Sequence, residues 1–512
     1  MPHSPHTLDE LKAALLDIQH LRDTAALLSW DQETVMPAGG GQARAAQLAT
    51  LQTLAHDKLV SPELEHLLLQ HVDPTTGLAT HHAAGPDDAS TALLRETWRD
   101  VTRARKLPSG FVTRLGHTCS LAQQAWVEAR RHDDFAQFLP HLRKIVDLKF
   151  EEIDYMGYTD SPYDALLDGY EPGSTVAQLE PLFAELRDGL IPLLDRVRAC
   201  SSPPDTRMLG LSYDHGQQLE FGKLVLRTMG YDFDRGRLDL SAHPFTTAFH
   251  PTDVRLTTRV FETDLLSCLF SCIHEGGHGL YEQGLPCELY GTPLGQPLSL
   301  GMHESQSRLW ENNVGRSKAF WVYFFPLLQH HFPAQLGAVS LDDFYAALNT
   351  VRPSLIRVEA DEVTYNLHIM VRFDIERAIV ERHVPVEELP TLWRETMRDY
   401  VGIVPDRDAE GVLQDVHWSL GAFGYFPTYT LGNIYASLLD RQARQDLPTL
   451  DTDIQRGHLL SLRSWLNRHV HQHGRRYSSA ELLHRITGQP LSVEPFLSYI
   501  RTKTGEIYGF SV

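Results

Sequence analysis

The chain has 512 residues, of which 42% are hydrophobic and 22% are charged, a composition typical of a folded globular protein and not of a disordered one. Its 66 acidic residues exceed its 46 basic residues and give a formal net charge of −20. A field of this sign repels polyanions, so we expect neither a nucleic-acid partner nor binding to an anionic membrane.

Cysteine content and apolar runs indicate where the protein works. The five cysteines are few for this length and none forms a C-x-x-C pair, which predicts reduced thiols in the cytoplasm. The N-terminal segment has no basic stretch followed by an apolar core, so no secretory signal is predicted. The most apolar run, Phe320–Leu328, is far shorter than the ~20 residues that cross a bilayer, so we expect no transmembrane helix.

Helical periodicity opens the chain. Thr7–Glu10 matches a capping box. Apolar residues then recur at helical spacing: Leu8, Leu11, Leu15, Ile18 and Leu21. The same periodicity runs through residues 121–156 and 176–200, and Thr175 with Gln178 forms a second capping box before the latter. The sequence therefore predicts a mainly α protein.

Three segments depart from this pattern. Residues 73–90 and 201–210 are rich in proline and polar residues and are predicted to be loops within the helical array, not linkers between domains. Between Arg235 and Val260, threonine, phenylalanine and valine alternate over short distances, which predicts a small antiparallel β-sheet. This sheet precedes the most informative motif of the chain.

That motif is the H-E-x-x-H pattern in the sequence HEGGH. Residues i and i+4 share one face of a helix, so His274 and His278 can both bind one Zn²⁺. Glu275 is rotated ~100° from His274 and can reach a metal-bound water as a general base. Gly276 and Gly277 each cost a helix ~1 kcal/mol relative to alanine, which indicates a packing or functional reason for them.

A catalytic zinc needs a third protein ligand, and three glutamates are candidates. Glu282 lies ~12 Å along the helix axis from His274, too far for both to bind one ion. Glu288 follows a turn that leaves little chain for a return to the first helix. Glu304, in the sequence HESQSR, has room to reach the ion from a second, antiparallel helix. Spacing alone leaves a metal ligand and a solvated surface residue as equal alternatives for Glu304.

Two other clusters are interpreted without a metal. His469, His471 and His473 are spaced by two residues, which favours a solvated polar face. Cys268 and Cys272 precede the motif at helical spacing and are interpreted as small core residues.

Five motifs in fixed order carry a family resemblance. Besides HEGGH and HESQSR, they are TDVRLTT (Thr252–Thr258), LIRVEADEVTYNLH (Leu355–His368) and GVLQDVHWSLGAFGYFPTYTLGN (Gly411–Asn433). Together they resemble the M32 family of metallocarboxypeptidases, the thermostable carboxypeptidase (Taq) group. One departure is Gly276, where the family motif commonly has phenylalanine. The resemblance covers nearly the whole chain and predicts a single domain over residues 1–512.

The resemblance implies a fold and an activity. The expected fold is one large, helical, cleft-containing domain of the neurolysin and angiotensin-converting-enzyme (gluzincin) type, with the small sheet beside the active-site helix. The expected enzyme is a cytoplasmic homodimer that removes C-terminal residues with broad specificity from peptides with a free C-terminus. It implies one Zn²⁺ per subunit, with Co²⁺ or another divalent ion as the alternative.

The resemblance also implies roles for the motif residues. His274, His278 and Glu304 would bind the metal, and Glu275 would take the proton of the metal-bound water and return it to the leaving amine. Arg357 is the candidate for binding the substrate α-carboxylate, because a guanidinium matches a carboxylate in two parallel hydrogen bonds. The alternative for Arg357 is an ion pair with one of its acidic neighbours, which are Glu359, Asp361 and Glu362.

Other residues have secondary candidate roles. His417, Tyr425 and Tyr429 could donate hydrogen bonds to the oxyanion, and a buried aromatic cluster is the alternative for the two tyrosines. His243 is a candidate for lining the cleft. A final group is expected to orient the sheet without touching substrate: Asp253 and Arg255.

Two other functions fit part of these observations. An oligoendopeptidase or a dipeptidyl carboxypeptidase of related architecture would share the metal motif and differ in how the cleft ends. A non-catalytic helical protein with a structural zinc would share the ligands and leave Glu275 without a role.

Overall fold

The computed structural model describes residues 8–80 and 88–511. Thr7, and with it the first predicted capping box, lies outside the described residues, as does part of the predicted loop at residues 73–90. The α-helices are, in chain order, α1 (Leu8–Thr34), α2 (Gly41–Leu59), α3 (Pro62–Leu69), α4 (Ala89–Lys106), α5 (Ser109–His132), α6 (Phe135–Met156), α7 (Pro162–Leu167), α8 (Val176–Arg198), α9 (His215–Met229), α10 (Leu265–Gly284), α11 (Leu300–Arg308), α12 (Lys318–His331), α13 (Pro333–Leu336), α14 (Leu341–Leu348), α15 (Thr364–Val380), α16 (Leu389–Tyr400), α17 (Pro427–Asp446), α18 (Leu450–Gln455), α19 (Leu460–His469), α20 (Ser479–Thr487) and α21 (Glu494–Tyr508).

The prediction of a mainly α protein is confirmed, and local signals explain several helix ends. The Thr175 and Gln178 capping box is present at the start of α8. The periodic stretch 121–156 is divided between α5 and α6, because Asp133 adopts the left-handed conformation and Asp134 accepts a hydrogen bond from the third backbone N–H of α6. Apolar periodicity continues through this break, so it does not reveal the break by itself.

The chain forms two compact units, each assembled from three separate stretches of sequence. Unit 1 comprises the described residues of Met1–Arg105, Thr206–Leu348 and Leu439–Gln489. Unit 2 comprises those of Lys106–Asp205, Asn349–Leu438 and Pro490–Val512. Unit 1 holds α9 to α14, and unit 2 holds α5 to α8, α15 and α16. The single domain over residues 1–512 stays a prediction.

The predicted sheet is present in unit 1, but its description as antiparallel is wrong for one of its two ladders. The strands are β1 (Gly236–Leu240), β2 (Thr246–His250) and β3 (Asp253–Thr258), in the spatial order β1-β3-β2. β3 pairs antiparallel with β2 and parallel with β1. A short turn reverses the chain between β2 and β3, whereas the whole of β2 separates β1 from β3. Alternation along a strand indicates which side chains are buried and not the direction of its neighbour.

Two glycines of α10 allow its neighbours to approach. A Cβ atom on Gly277 would lie 2.6 Å from Gln306 O and 2.6 Å from Ser307 Cα, both backbone atoms of α11. A Cβ atom on Gly276 would lie 2.4 Å from the side chain of Leu226 on α9. Any side chain larger than hydrogen at position 276 would therefore require Leu226 to move. These contacts supply the packing reason that the two glycines require.

The most apolar run of the chain belongs to the core of unit 1. Phe320–Leu328 lies inside α12, where Phe320, Trp321 and Phe324 are buried. Across residues 8–80 and 88–511, no helix is both long enough and apolar enough to cross a membrane. Core packing accounts for the hydrophobicity of this run.

Candidate active site

Three side chains suited to binding a metal converge where α10 faces α11. His278 Nε2 lies 3.4 Å from Glu304 Oε2, and His274 Nε2 lies 3.7 Å from the same oxygen. One ligand atom from each of the three residues lies within 4.8 Å of the other two. Ligand atoms ~2.1 Å from a shared ion in tetrahedral geometry are ~3.4 Å apart, so this group fits a single divalent cation.

Helix packing decides how this ligand group forms and how open it is. His274 and His278 are one turn apart on α10, and the bare backbone at Gly277 lets α11 bring Glu304 close to them. The side chains of His274 and His278 are 20% and 14% exposed, whereas that of Glu304 is 9% exposed. The imidazole side of the group therefore remains reachable from solvent, as a catalytic metal site requires.

Glu304 is held by a charged neighbour on its own helix. Arg308 Nε donates a 2.7 Å hydrogen bond to Glu304 Oε1, which leaves Oε2 directed at the histidines. Burial alone would raise the pKa of this carboxyl group, but Arg308, His274 and His278 hold that pKa well below its usual range. Glu304 is therefore ionised, which is the state that a carboxylate ligand needs.

A π-helix follows α11 and places a second carboxylate behind His274. This π-helix spans Leu309–Val314, and its Glu311 Oε2 lies 2.8 Å from His274 Nδ1. Burial would lower the pKa of His274, but the carboxylates of Glu304 and Glu311 raise it to about 9. Burial would raise the pKa of Glu311, but Arg308 and His274 lower it to about 2. A cation that binds at His274 Nε2 must displace a proton from this ring.

The far nitrogen of His278 has a different partner. His278 Nδ1 lies 2.5 Å from His303 Nδ1, and His303 Nε2 lies 2.8 Å from Glu282 Oε1. The ring of Tyr281 packs against that of His303 with centroids 5.3 Å apart. A chain of polar contacts thus runs from the candidate ligand His278 through His303 to Glu282. The position of Glu282 along the helix excludes it as a ligand itself.

The predicted general base is held by the sheet. Glu275 is 6% exposed, and the hydroxyl of Thr246 on β2 lies 2.7 Å from Glu275 Oε2 and 3.0 Å from Glu275 O. Burial raises the pKa of the Glu275 carboxyl group, although His274 and Thr246 oppose this shift. A carboxylate with a raised pKa is a stronger proton acceptor, which suits a general base.

Unit 2 contains a separate cluster of buried charges. Arg357 donates to Asp415 Oδ1 through Nε at 3.0 Å and Nη2 at 2.8 Å, and Arg372 Nε donates to Asp415 Oδ2 at 2.7 Å. Arg357 is 5% exposed and Arg372 is fully buried. Burial would raise the pKa of Asp415, but the two arginines hold it far below its usual range. Two guanidiniums share one carboxylate, so this trio carries one surplus positive charge.

Aromatic side chains surround this trio within unit 2. The Cζ atom of Arg357 lies 5.0 Å from the ring centroid of Tyr429, whose hydroxyl is 3.2 Å from His417 Nε2. The ring of Tyr425 lies 5.2 Å from that of His417 and 5.3 Å from that of Tyr429. Burial lowers the pKa of His417 to about 4, against the opposing effect of Asp415. His417 is therefore neutral at pH 7.

One buried acid anchors the segment that carries His417. Glu376 on α15 accepts hydrogen bonds from the Tyr163 hydroxyl at 2.6 Å, from Trp418 Nε1 at 2.9 Å and from the Gly424 backbone N–H at 2.9 Å. Burial raises the pKa of Glu376 to about 7, although these donors oppose the shift. Glu376 therefore ties three elements of unit 2 together and changes charge near neutral pH.

Comparison with known proteins identifies the family of this chain. A sequence profile of the carboxypeptidase Taq (M32) metallopeptidases matches residues 10–504. The chain belongs to the M32 family. It is similar to thermostable carboxypeptidase 1 of Thermus thermophilus, with 44% identity over 499 residues that make up 96% of each chain. It is also similar to carboxypeptidase 1 of Bacillus subtilis, with 40% identity over 98% of this chain and 99% of the relative.

Solved structures resemble this M32 chain over its length. The crystal structure of an M32 carboxypeptidase from Deinococcus radiodurans R1 has a TM-score of 0.94 and 39% identity, and covers 98% of this chain and 99% of that one. A Pyrococcus furiosus carboxypeptidase, described as Apo-Mg, has a TM-score of 0.93 and 35% identity over 98% and 100% of the two chains. The resemblance stated from the motifs is thus confirmed. The chain is a metal-dependent carboxypeptidase that uses a divalent ion.

The predicted site residues of this M32 enzyme fall into two groups. Unit 1 brings together His274, Glu275, His278 and Glu304. Unit 2 brings together Arg357, His417, Tyr425 and Tyr429. His243 is exposed, and its backbone carbonyl accepts a hydrogen bond from Ser241 three residues before β2.

One alternative for Arg357 is wrong. Two of the three acidic neighbours have other partners: Asp361 accepts from Val363 N and Thr364 N at the start of α15, and Glu362 pairs with Lys503 at 2.6 Å. Arg357 instead pairs with Asp415, because the fold brings the QDVHW segment to it. Sequence proximity was a poor guide to the partner of this arginine.

A second expectation is wrong for one histidine. His471 is 1% exposed and lies outside α19, in a 3₁₀ turn, with its Nε2 2.9 Å from Gln306 Oε1. The predicted solvated face assumed a continuous helix, and α19 ends at His469. Asp253 and Arg255 pair with each other on β3 at 2.9 Å, and their role in orienting the sheet stays a prediction.

Several residues of the site were missed. Arg308 and Glu311 were given no role, although they lie four and seven residues after the predicted ligand Glu304, a spacing that places all three on one helix face. His303 precedes the third ligand directly and was part of the quoted motif. Thr246 had no such signal, because only the fold brings a strand residue to the glutamate of a later helix.

Proposed function

We propose that this M32 enzyme removes single C-terminal residues from peptides with broad specificity, using one Zn²⁺ per subunit bound by His274, His278 and Glu304. The convergence of three ligand atoms beside the buried Glu275 is the observation that carries this proposal. Two imidazoles and one carboxylate are a donor set suited to Zn²⁺, and Co²⁺ is the alternative. When bound, the ion would polarise the scissile carbonyl and lower the pKa of a water molecule toward ~7.

Glu275 moves the proton in this proposal. Its carboxylate takes a proton from the attacking water and then gives that proton to the nitrogen of the leaving amine, so that one residue acts as base and acid in turn. Its raised pKa supports both steps, and the hydrogen bond from Thr246 keeps the carboxylate in one orientation. Thr246 is thus a positioning residue for the base.

Arg357 is the proposed group for the substrate α-carboxylate. The surplus positive charge of the Arg357, Asp415 and Arg372 trio supports this role, because a substrate carboxylate would neutralise it. Arg357 is 5% exposed, so a substrate would meet one edge of the guanidinium and not its full face. The role applies to a free C-terminus and not to an amidated one.

The remaining site residues have lesser proposed roles. The hydroxyls of Tyr425 and Tyr429 are proposed as donors to the oxyanion, together with the neutral ring of His417. The side chains of both tyrosines are half-buried. This exposure supports the donor role over the alternative of a fully buried aromatic cluster. His243 is proposed to line the substrate cleft. The homodimer, the cytoplasmic location and the single domain over residues 1–512 also remain proposals from the family resemblance.

Replacement of the base tests the chemistry. We expect Glu275→Gln to lower kcat/KM on a blocked dipeptide or short peptide by about 10²–10⁴-fold, with one metal ion per chain retained. Glu288→Gln, which changes an exposed glutamate that follows α10, is the matched control. Unchanged activity of Glu275→Gln would remove Glu275 as the general base and contradict the proposed mechanism.

The products of peptide digestion test the mode of cleavage. Mass spectrometry of a digested peptide should show stepwise loss of single C-terminal residues, and an amidated C-terminus should block the reaction. Loss of dipeptides or the appearance of internal fragments would contradict the proposal and favour a dipeptidyl carboxypeptidase or an oligoendopeptidase.

The substrate-binding role of Arg357 needs its own test. Arg357→Lys keeps the charge and removes the planar fork, so we expect KM to rise about 10–100-fold, the equivalent of ~1.5–3 kcal/mol, with bound metal unchanged. A thermal melt of the variant checks that unit 2 is still folded. An unchanged KM would remove Arg357 from the proposal.

Metal identity is tested by removal and replacement. Dialysis against a chelator should abolish activity, and addition of Zn²⁺ or Co²⁺ should restore it. Elemental analysis of the protein as purified gives the number of bound ions per chain. Full activity after complete metal removal would contradict the proposal.

A further inference from the structure

The two candidate ligand histidines differ in what holds their outer nitrogens. His274 Nδ1 meets the carboxylate of Glu311 directly, at 2.8 Å. His278 Nδ1 meets a second imidazole, that of His303, at 2.5 Å, and His303 passes the contact on to Glu282 at 2.8 Å. The proposed reaction uses neither His303 nor Glu282, although both are among the polar groups nearest the metal ligands.

We propose that His303 and Glu282 are positioning residues that fix the tautomer of His278 and hold α10 and α11 in the register that the metal ligands require. This inference rests on the proposed role of His278 as a ligand through Nε2. It assigns a function to Glu282, which is too far along α10 to share an ion with His274.

The positions of the protons follow from the heavy-atom contacts. His278 Nε2, 3.4 Å from Glu304 Oε2, is the proposed ligand atom, so its lone pair is needed for the ion and the single proton of the neutral ring is on Nδ1. That proton points at His303 Nδ1, which must therefore accept. The proton of His303 is then on Nε2, where Glu282 accepts it. The reverse arrangement would place a proton on the nitrogen that has to bind the ion.

The same contacts connect the two helices that supply the ligands. Glu282 lies one turn beyond His278 on α10, and His303 immediately precedes Glu304 on α11. The chain of contacts therefore runs from α10 to α11 and back to α10. Tyr281 packs against the ring of His303 and restricts its rotation. A shift of α11 that displaced Glu304 would also stretch the contacts of His303.

The alternative is that His303 only fills space in a stack of rings. Two substitutions distinguish these roles, because they change the nitrogens of His303 differently. His303→Phe keeps a ring and removes both nitrogens. His303→Asn keeps an oxygen near the place of Nδ1, which can accept from His278, and loses the group that reaches Glu282. If His303 only fills space, His303→Phe should be less damaging than His303→Asn. If His303 is a positioning residue, His303→Asn should be the less damaging of the two.

Metal affinity is the first measurement. Competition between the full-length protein and a fluorescent chelator for Zn²⁺ should show affinity about 10–100-fold weaker for His303→Phe, and a smaller loss for His303→Asn. Glu282→Gln should weaken binding less than His303→Phe does, because its amide oxygen still accepts from His303 while the negative charge is lost. The matched control is Glu288→Gln, in an exposed residue near the end of α10, and it should not change the affinity.

The outcomes are decisive for the proposal. Wild-type affinity in His303→Phe would overturn it, and so would a greater loss in His303→Asn than in His303→Phe. If His303→Phe does not fold, Glu282→Gln against Glu288→Gln carries the test, and equal affinity of those two variants would overturn the proposal. If the wild-type protein binds no ion, the proposed function fails and not merely the role of His303.

A spectroscopic measurement reports the proton on His278 itself. In the Co²⁺-loaded protein, the N–H protons of ligand imidazoles have strongly shifted NMR signals that disappear in D₂O when they exchange. We expect two such signals, from His274 and His278, in the wild type. In His303→Phe one of them should exchange with solvent much faster, because His278 Nδ1–H has lost its acceptor. Two equally protected signals in that variant would show that His303 does not hold this proton.

Discussion

The ligand group of unit 1 and the arginine cluster of unit 2 are both buried sets of charges, but they are built differently. In unit 1, two helices consecutive in the chain supply every candidate ligand, and each ligand has a polar partner behind it. In unit 2, Arg357 and Asp415 are 58 residues apart and meet through the fold, with one carboxylate for two guanidiniums. In our proposal the first set binds a cation and the second binds an anion.

This difference shows what each cluster needs in order to be stable. Glu304 and Glu311 lie next to two imidazoles and share Arg308, whose Nε and Nη1 lie 2.7 Å and 3.2 Å from their carboxylate oxygens, so the proposed cation would join an existing network of ion pairs. The trio of Arg357, Arg372 and Asp415 already has its internal ion pairs and lacks only one negative charge. We therefore expect substitutions in unit 1 to change metal binding, and substitutions in unit 2 to change stability and the binding of peptide carboxylates.

The largest expected effect is loss of the third ligand. Glu304→Ala should abolish stable metal binding and peptidase activity, because it removes a ligand and leaves the charge of Arg308 facing the two histidines. Elemental analysis after dialysis measures the bound ion. A variant that still holds one ion per chain would contradict the assignment of Glu304 and the proposed contrast between the clusters.

The matching change in unit 2 is Asp415→Asn. It leaves two buried guanidiniums without their carboxylate, so we expect a loss of about 3–5 kcal/mol in the free energy of unfolding. Urea denaturation measures this loss. Metal content at low urea should equal that of the wild type, and weaker metal binding in the folded variant would show that the two clusters are coupled.

Helix packing gives an intermediate effect. Gly277→Ala would place a Cβ atom 2.6 Å from backbone atoms of α11, and we expect it to cost about 1–3 kcal/mol of stability and to weaken metal binding. Gly276→Ala is the matched control, because its Cβ atom would meet flexible side chains, those of Leu226 and Met229, and not the backbone of α11. Calorimetry and chelator competition compare the two variants. Equal effects would show that the approach of α11 does not position Glu304.

The smallest expected effect is a pH dependence in unit 2. Burial raises the pKa of Glu376 from about 4.5 to about 7, so the folded state binds its proton more tightly than the unfolded state does. The stability from this group is complete below pH ~4.5 and is lost as the pH rises through 7, by at most ~1.4 kcal/mol per pH unit. Glu376→Gln should remove this slope, while Glu395→Gln, in an exposed residue of α16, should keep it. The free energy of unfolding is measured by denaturation from pH 5 to 8. If it changes with pH equally in Glu376→Gln and Glu395→Gln, the assignment is contradicted.

Much of the fold and of the ligand group could be predicted from sequence, for reasons of distance along the chain. His274 and His278 share a helix, so periodicity alone placed them together. The predicted strands exist, but their pairing depends on the path of the chain around β2 and was partly wrong. The partner of Arg357 could not be predicted, because long-range contacts depend on the packing of whole helices and not on local spacing.

The bare backbone at Gly277 has a consequence for how this enzyme fails. The proposed ion site depends on the separation of α10 and α11, and thermal expansion of the interior would widen that separation before any helix melts. On warming, we therefore expect the ion to escape, and activity to disappear, at temperatures where circular dichroism still reads full helix content. Excess divalent ion in the buffer should then extend the working life of the enzyme more than it raises the melting temperature of the helices.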